Sequence, residues 1–217
     1  MQYDPVTLVV GLFILAILPF IAIMVTSYVK LVVVFSLVRN ALGVQQIPPN
    51  MVLNGIAIIL SLFIMAPVGY DALDIYKKKT AGAPAPTDVK GLLSLGEEVG
   101  APLLSFLKKN ASPKTRLFFM KSAMKIWPPD KVALLRPDSL YILVPSFMLT
   151  ELTEAFEIGF LLYLPFIVID LVISNILLAM GMQMVSPMTI STPFKLLLFV
   201  MVNGWTKVIE GLILTYR

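Results

Sequence analysis

The stretch DLVISNILLAMGMQMVSPMTISTPFK, from Asp170 to Lys195, carries the strongest structural signal in the chain. Two apolar runs flank Met180–Met188, a segment with four methionines that we call the methionine turn. Gly181 and Pro187 interrupt helices, so the pattern predicts a helical hairpin with this turn at its tip. Methionine side chains adapt to irregular surroundings. Several copies around an axis would form a soft seal, and the simpler alternative is a tip that covers itself against lipid.

The two charged ends of this stretch lie equally far from the midpoint between Met182 and Gln183. In a symmetric hairpin, Asp170 and Lys195 would therefore lie at the same level. A charge near the bilayer centre costs roughly 2.5–3.5 kcal/mol on insertion scales, and an aspartate is too short to reach the headgroups. The spacing predicts a buried charge pair, within one chain or between neighbouring copies. Separate partners or solvation are the alternatives.

The composition restricts the class of protein. The 217 residues are 58% hydrophobic and 14% charged, with a mean hydropathy of +0.89, whereas soluble domains average about 25% charged residues. The chain has no cysteine and no histidine, which excludes disulfides, thiolate nucleophiles and a histidine general base. The net charge of +4 comes with basic residues clustered in one mixed-charge segment, so we expect no nucleic-acid binding.

Composition also divides the chain into three parts. Residues 1–70 and 140–217 are hydrophobic blocks, and residues 71–139 form a more polar segment with helical spacing of apolar residues. Runs of about 20 apolar residues can span a bilayer. The sequence therefore predicts an all-α membrane protein in which helical hairpins flank a small soluble helical domain.

Individual helices can be predicted within these parts. Val6–Val38 lacks the basic start of a signal peptide, so we expect a retained anchor, kinked at Pro19. Gly43 is expected to end this helical stretch. The stretch KKKTAGAPAPTD, residues 77–88, is predicted to be a flexible connection. The last helix is predicted at Phe194–Leu214.

Acidic residues outside the hairpin leave two further functions open. Glu151, Glu154 and Glu157 recur every three residues and share a helical face, which is typical of a polar face towards water or another subunit. An intramembrane hydrolase using these glutamates or Asp170 is the first alternative, although histidine, cysteine and a second intramembrane aspartate are missing. A small-solute transporter is the second, although we find no inverted repeat. No metal or cofactor motif is present.

Two long segments resemble the SctR/FliP family of export-gate subunits. They are TSYVKLVVVFSLVRNALGVQQIPPNMVLNGIAIILSLFIMAPVG, Thr26–Gly69, and LTEAFEIGFLLYLPFIVIDLVISNILLAMGMQMVSPMTISTPFKLLLFVMVNGW, Leu152–Trp205. The resemblance implies a core subunit of bacterial type III secretion, closer to the injectisome branch than to the flagellar one. It implies an inner-membrane assembly of several copies in a helical ring with SctS-type and SctT-type subunits, which conducts unfolded secreted proteins and performs no bond chemistry.

The resemblance also assigns a role to the tip residues. Met182, Gln183 and Met184 match the positions that form a pore gasket in the family, although Gln183 departs from the commoner methionine. Asp170 and Lys195 match charged positions of the same motif. The resemblance places the middle segment in the periplasm, whereas its basic residues favour the cytoplasm by the positive-inside rule, which weakens for segments of this length.

Overall fold

A computed structural model describes residues 5–80 and 89–217, and in these ranges the chain forms nine α-helices and no β-strand. The helices are α1 (Pro5–Val25), α2 (Tyr28–Ala41), α3 (Asn50–Thr80), α4 (Val89–Asn110), α5 (Pro113–Ile126), α6 (Pro129–Val132), α7 (Leu140–Ala179), α8 (Pro187–Met201) and α9 (Gly204–Leu214). The predicted all-α fold is confirmed.

Helix length and composition identify the membrane segments. Among the described residues, α3 and α7 are each long and apolar enough to cross a bilayer. Two broken helix pairs, α1 with α2 and α8 with α9, raise the number of spans to as many as four if each pair is one span. These helices make the chain a membrane protein.

Two helix breaks were not predicted from the sequence. The first apolar stretch breaks at Thr26-Ser27, while Pro19 lies inside α1. Serine and threonine favour helix ends because their hydroxyls compete for backbone hydrogen bonds. The prediction of one last helix over Phe194–Leu214 is wrong: α8 starts earlier, at Pro187, and ends at Met201. Asn203, with φ 53°, turns the chain into α9, and asparagine tolerates this left-handed conformation.

Two other boundaries were predicted from turn residues. Gly43 follows the end of α2 with φ +74°, as its predicted role as a helix stop requires. In the predicted connection at residues 77–88, the first four residues are the last turn of α3. The remaining residues, 81–88, lie outside the described part of the chain.

The described residues form two compact units, and α3 and α7 contribute to both. The first unit joins the residues up to Val29 with Met65–Glu151. The second unit joins Lys30–Ile64 with Leu152–Arg217. The three compositional parts at 1–70, 71–139 and 140–217 remain a prediction about domains.

The core of the first unit forms where α4 packs on the first turns of α7. Leu107 of α4 and Ala111, which follows the end of α4, cluster with Leu143 and Phe147 of α7, and Val25 completes this buried cluster. The Thr150 hydroxyl of α7 accepts a hydrogen bond from the Ser112 amide and shares another with the Thr115 hydroxyl, which connects the start of α5 to α7. The polar middle segment thus contributes α4 to an apolar core that it shares with Val25 and the first turns of α7.

The core of the second unit is built around α2. Its buried residues recur at helical spacing: Lys30, Leu31, Val34, Phe35, Val38 and Ala41. Gly159 on α7 lets the two helices approach closely, because a β-carbon there would lie only 3.1 Å from Leu37 Cβ. The rings of Phe35 and Phe199 both meet Trp205 of α9 edge-on. This core holds α7, α8 and α9 around α2.

Candidate functional site

The methionine turn lies at the tip of the α7–α8 hairpin. At the end of α7, the Met182 amide donates to Leu177 O at 2.9 Å, and the Gly181 amide donates to Leu178 O at 3.0 Å. This bond pair is a Schellman motif, which needs a left-handed residue, and Gly181 has φ +71°. Pro187 then starts α8, at a position where proline's missing amide hydrogen costs nothing. The predicted hairpin is therefore present.

The three predicted gasket residues are consecutive and point away from the hairpin. Met184 is 100% exposed, Met182 is 41% exposed, and Gln183 is also exposed. Large apolar side chains in this position need a partner surface or lipid to cover them. The tip thus offers thioether chains and one amide to whatever lies beyond it.

The structure brings Asp170 and Lys195 together. Lys195 Nζ donates to Asp170 Oδ2 at 2.6 Å. The lysine is buried, with 2% of its surface exposed, whereas the Asp170 side chain is 38% exposed. The pair lies within one chain, which is the first of the two arrangements that the spacing left open.

Two further groups complete this buried site. Ser191 Oγ donates to Asp170 Oδ1 at 2.6 Å, and Lys195 Nζ also donates to Ala41 O at 3.2 Å. Ala41 is the last residue of α2, where unpaired carbonyls and the helix dipole favour a cation. One ammonium group therefore joins three helices: α2, α7 and α8.

Sequence reasoning did not single out Ser191 or Ala41. Ser191 lies four residues before Lys195 and so shares its helical face, which is a usable local signal. Ala41 contributes a backbone carbonyl, and a backbone acceptor has no residue-type signature.

A second buried lysine lies at the other end of α2. Lys30, 1% exposed, donates to Glu154 Oε2 at 2.7 Å and has its Nζ 4.3 Å from the centre of the Tyr216 ring. The predicted glutamate face therefore divides into three environments. Glu151 is buried, Glu154 pairs with Lys30, and Glu157 is exposed. We find no support in this arrangement for acid–base chemistry.

An apolar groove of about 590 Å³ runs between α7 and α8. It is lined by Val168, Ile169, Val172, Ile173, Ile176, Leu177, Ile190, Phe194 and Leu198. Ligand sites need a few polar groups to orient the ligand, and this lining contains none. In residues 5–80 and 89–217, no three acidic, histidine or cysteine side chains come close enough to hold a metal ion.

Comparison with known proteins places the chain in a family. The model of the FliP family matches residues 11–212. The chain is 54% identical over 213 residues to Yop proteins translocation protein R of Yersinia pestis, covering 98% of this chain and 97% of that protein. It is 53% identical to hypersensitivity response secretion protein HrcR of Ralstonia nicotianae, covering 94% and 93% of the two chains. It is 49% identical to virulence protein YscR of Salmonella typhimurium, covering 98% and 97%. Matches of this extent show that the chain belongs to the FliP family.

Proposed function

We propose that this chain is a core subunit of the export gate of an injectisome-type type III secretion system in the bacterial inner membrane. Several copies join SctS-type and SctT-type subunits in a helical ring that conducts unfolded secreted proteins. Membership of the FliP family supports this role, as do relatives named for translocation, secretion and virulence.

The observation that carries the proposal is a hairpin whose tip has flexible, exposed methionine side chains and whose base is fixed by polar contacts. At the base, Lys195 joins α2, α7 and α8 through Asp170 and Ala41 O. At the tip, Met182 and Met184 project outward from a turn with a defined backbone. A pore seal needs this combination, because the backbone must return to one position while the side chains adapt to a passing polypeptide.

The apolar surface of α7 supports assembly. Between residues 156 and 178, apolar side chains on more than one side of α7 are exposed in the single chain: Phe156, Phe160, Leu161, Leu164, Val168, Leu171, Val172, Ile176 and Leu178. Soluble monomers rarely leave contiguous apolar patches of this kind uncovered. Lipid on one side and neighbouring subunits on the other would cover them.

In the proposed seal, each tip residue has a distinct part. Met182 and Met184 close the lumen by van der Waals packing of unbranched chains. Gln183 places an amide beside them, so this ring carries hydrogen-bonding groups. Opening displaces side chains and breaks no covalent bond, and the energy for it comes from partner proteins.

The geometry at Asp170 argues against the hydrolase alternative. Ser191 is the hydroxyl nearest to the charge pair, and it is fully buried and donates its proton to Asp170. A substrate carbonyl could not reach its Oγ without opening the contact between α7 and α8.

The test replaces the two methionines of the proposed seal. Gates assembled from Met182→Ala/Met184→Ala chains should leak small ions across the inner membrane, because alanine leaves the lumen unfilled. The matched control is Met51→Ala/Met201→Ala, which removes two exposed methionines away from the tip. Equal ion flux in wild type, test variant and control, with the gate assembled, would refute the seal.

A further inference from the structure

The loop between α2 and α3 lies against the start of α8. Gly43, in this loop, has φ +74°, and a β-carbon added there would lie 3.1 Å from Thr192 Oγ1 and 3.4 Å from Met188 Cε. The first distance is tighter than ordinary van der Waals contact, and the second is ordinary. Met188 is the last residue of the methionine turn, so the loop and the turn are in contact.

Polar contacts fix the loop on both sides of Gly43. Arg39 Nη1 donates to Pro48 O at 3.1 Å and to Asn50 Oδ1 at 2.6 Å, which closes the loop across its ends. Lys195 Nζ donates to Ala41 O at 3.2 Å, which attaches the beginning of the loop to α8. The loop is therefore held to α2, to α3 and to α8 by side chains whose partners are backbone or amide oxygens.

One face of α8 receives this loop. Met188, Thr192 and Lys195 are spaced by four and three residues and so lie on one side of the helix. Each of them approaches Gly43 or the preceding turn of α2. The loop therefore lies beside the residues with which α8 begins, next to the end of the methionine turn.

We propose that Gly43 is a positioning residue, and that the space it leaves beside Thr192 sets the place of the methionine turn. Glycine suits position 43 because its conformation is left-handed and because a β-carbon there would lie closer to Thr192 Oγ1 than ordinary contact allows. This inference rests on the proposed sealing function of Met182 and Met184.

The test uses Gly43→Ala in the assembled gate. The added methyl group should push on Thr192 and displace the turn, giving a several-fold increase in ion leak with the complex still assembled. Thr192→Ala removes the hydroxyl at 3.1 Å, so the double variant should return to the wild-type leak. Thr192→Ala alone should leak no more than wild type.

Gly181→Ala is the matched control for backbone strain. Gly181 has φ +71°, close to that of Gly43, but an added β-carbon there meets nothing within 4 Å. Any leak caused by Gly181→Ala should therefore be unaffected by Thr192→Ala. Rescue of both alanine variants to the same degree would contradict a specific contact between Gly43 and Thr192.

If Gly43→Ala fails to assemble, the contact can be tested from the opposite side. Thr192→Leu enlarges the side chain against an unchanged Gly43 and should leak, whereas Thr192→Ser keeps the hydroxyl and should not. Leak in the Met182/Met184 variant without leak in Gly43→Ala or Thr192→Leu overturns the positioning role and leaves the seal intact. No leak in any of these variants overturns both.

Discussion

Replacing Asp170 by asparagine tests the charge pair most directly, because it keeps the shape and removes the charge. At 2.6 Å, two unit charges attract by about 6 kcal/mol at an effective dielectric constant of 20. The desolvation cost of Lys195, only 2% exposed, remains in the variant. Breaking a buried pair costs about 3–5 kcal/mol, and the 38% exposure of the Asp170 side chain places this one at the lower end, about 3 kcal/mol.

Replacing Lys195 instead of Asp170 should lower the stability by less. Lys195→Met keeps most of the length of the side chain and removes the buried charge. Asp170 then keeps the hydrogen bond from Ser191 and its access to solvent, so we expect a loss of about 1.5 kcal/mol, the lower end of the range for a hydrogen bond to a charged group. The structure thus predicts a clear asymmetry between two variants that break the same contact.

Unfolding of the detergent-purified protein can measure this asymmetry. Trp205 lies in the core near α8, with its ring 5.4 Å from that of Phe199, and Trp127→Phe leaves it as the single tryptophan probe. Equal losses in Asp170→Asn and Lys195→Met, or no loss in either, would refute a buried lysine that depends on one aspartate. The exchanged pair, Asp170→Lys with Lys195→Asp, should recover stability only in part, because a carboxylate at 195 would face Ala41 O.

Three other predictions concern the cores and the middle segment. Gly159→Ala should cost about 2 kcal/mol of stability because its methyl group overlaps a side chain of α2. Gly211→Ala is the control, because its methyl group meets nothing within 4 Å and should be tolerated. Denaturant unfolding compares the two variants, and equal stability would contradict the close packing. Glu154→Gln should lower the stability by about 2 kcal/mol by weakening a charged hydrogen bond to Lys30, and an unchanged midpoint would count against it. In this cysteine-free chain, Lys109→Cys should react with a membrane-impermeant maleimide from the periplasmic side, and labelling only after lysis would reverse the orientation proposed for residues 71–139.

The hairpin could be predicted because its signals are local. Gly181 and Pro187 mark the two helix ends through the backbone conformations that they favour. The pairing of Asp170 with Lys195 follows from their equal spacing from the tip of a symmetric hairpin. Both features depend on fewer than thirty consecutive residues, so no knowledge of the rest of the fold was needed.

There is a physical reason why the remaining contacts could not be predicted from the sequence. Lys30 and Glu154 are separated by 124 residues, and no local pattern relates them. The acceptor on Ala41 is a backbone carbonyl, which any residue could supply. The helix breaks at Thr26-Ser27 and Val202-Asn203 occur at residue types that are also found inside helices, so the sequence alone did not single them out.

The long separation between Lys30 and Glu154 has a consequence for biosynthesis. Ribosomes add roughly 5–20 residues per second, so Lys30 emerges roughly 6–25 s before the carboxylate that neutralises it. Asp170 and Lys195 are only 25 residues apart, so at the same rate Lys195 is added roughly 1–5 s after Asp170. During the longer interval Lys30 of the nascent α2 has not yet met Glu154, and it needs water, the translocon or a chaperone beside it until the second half of the chain is made.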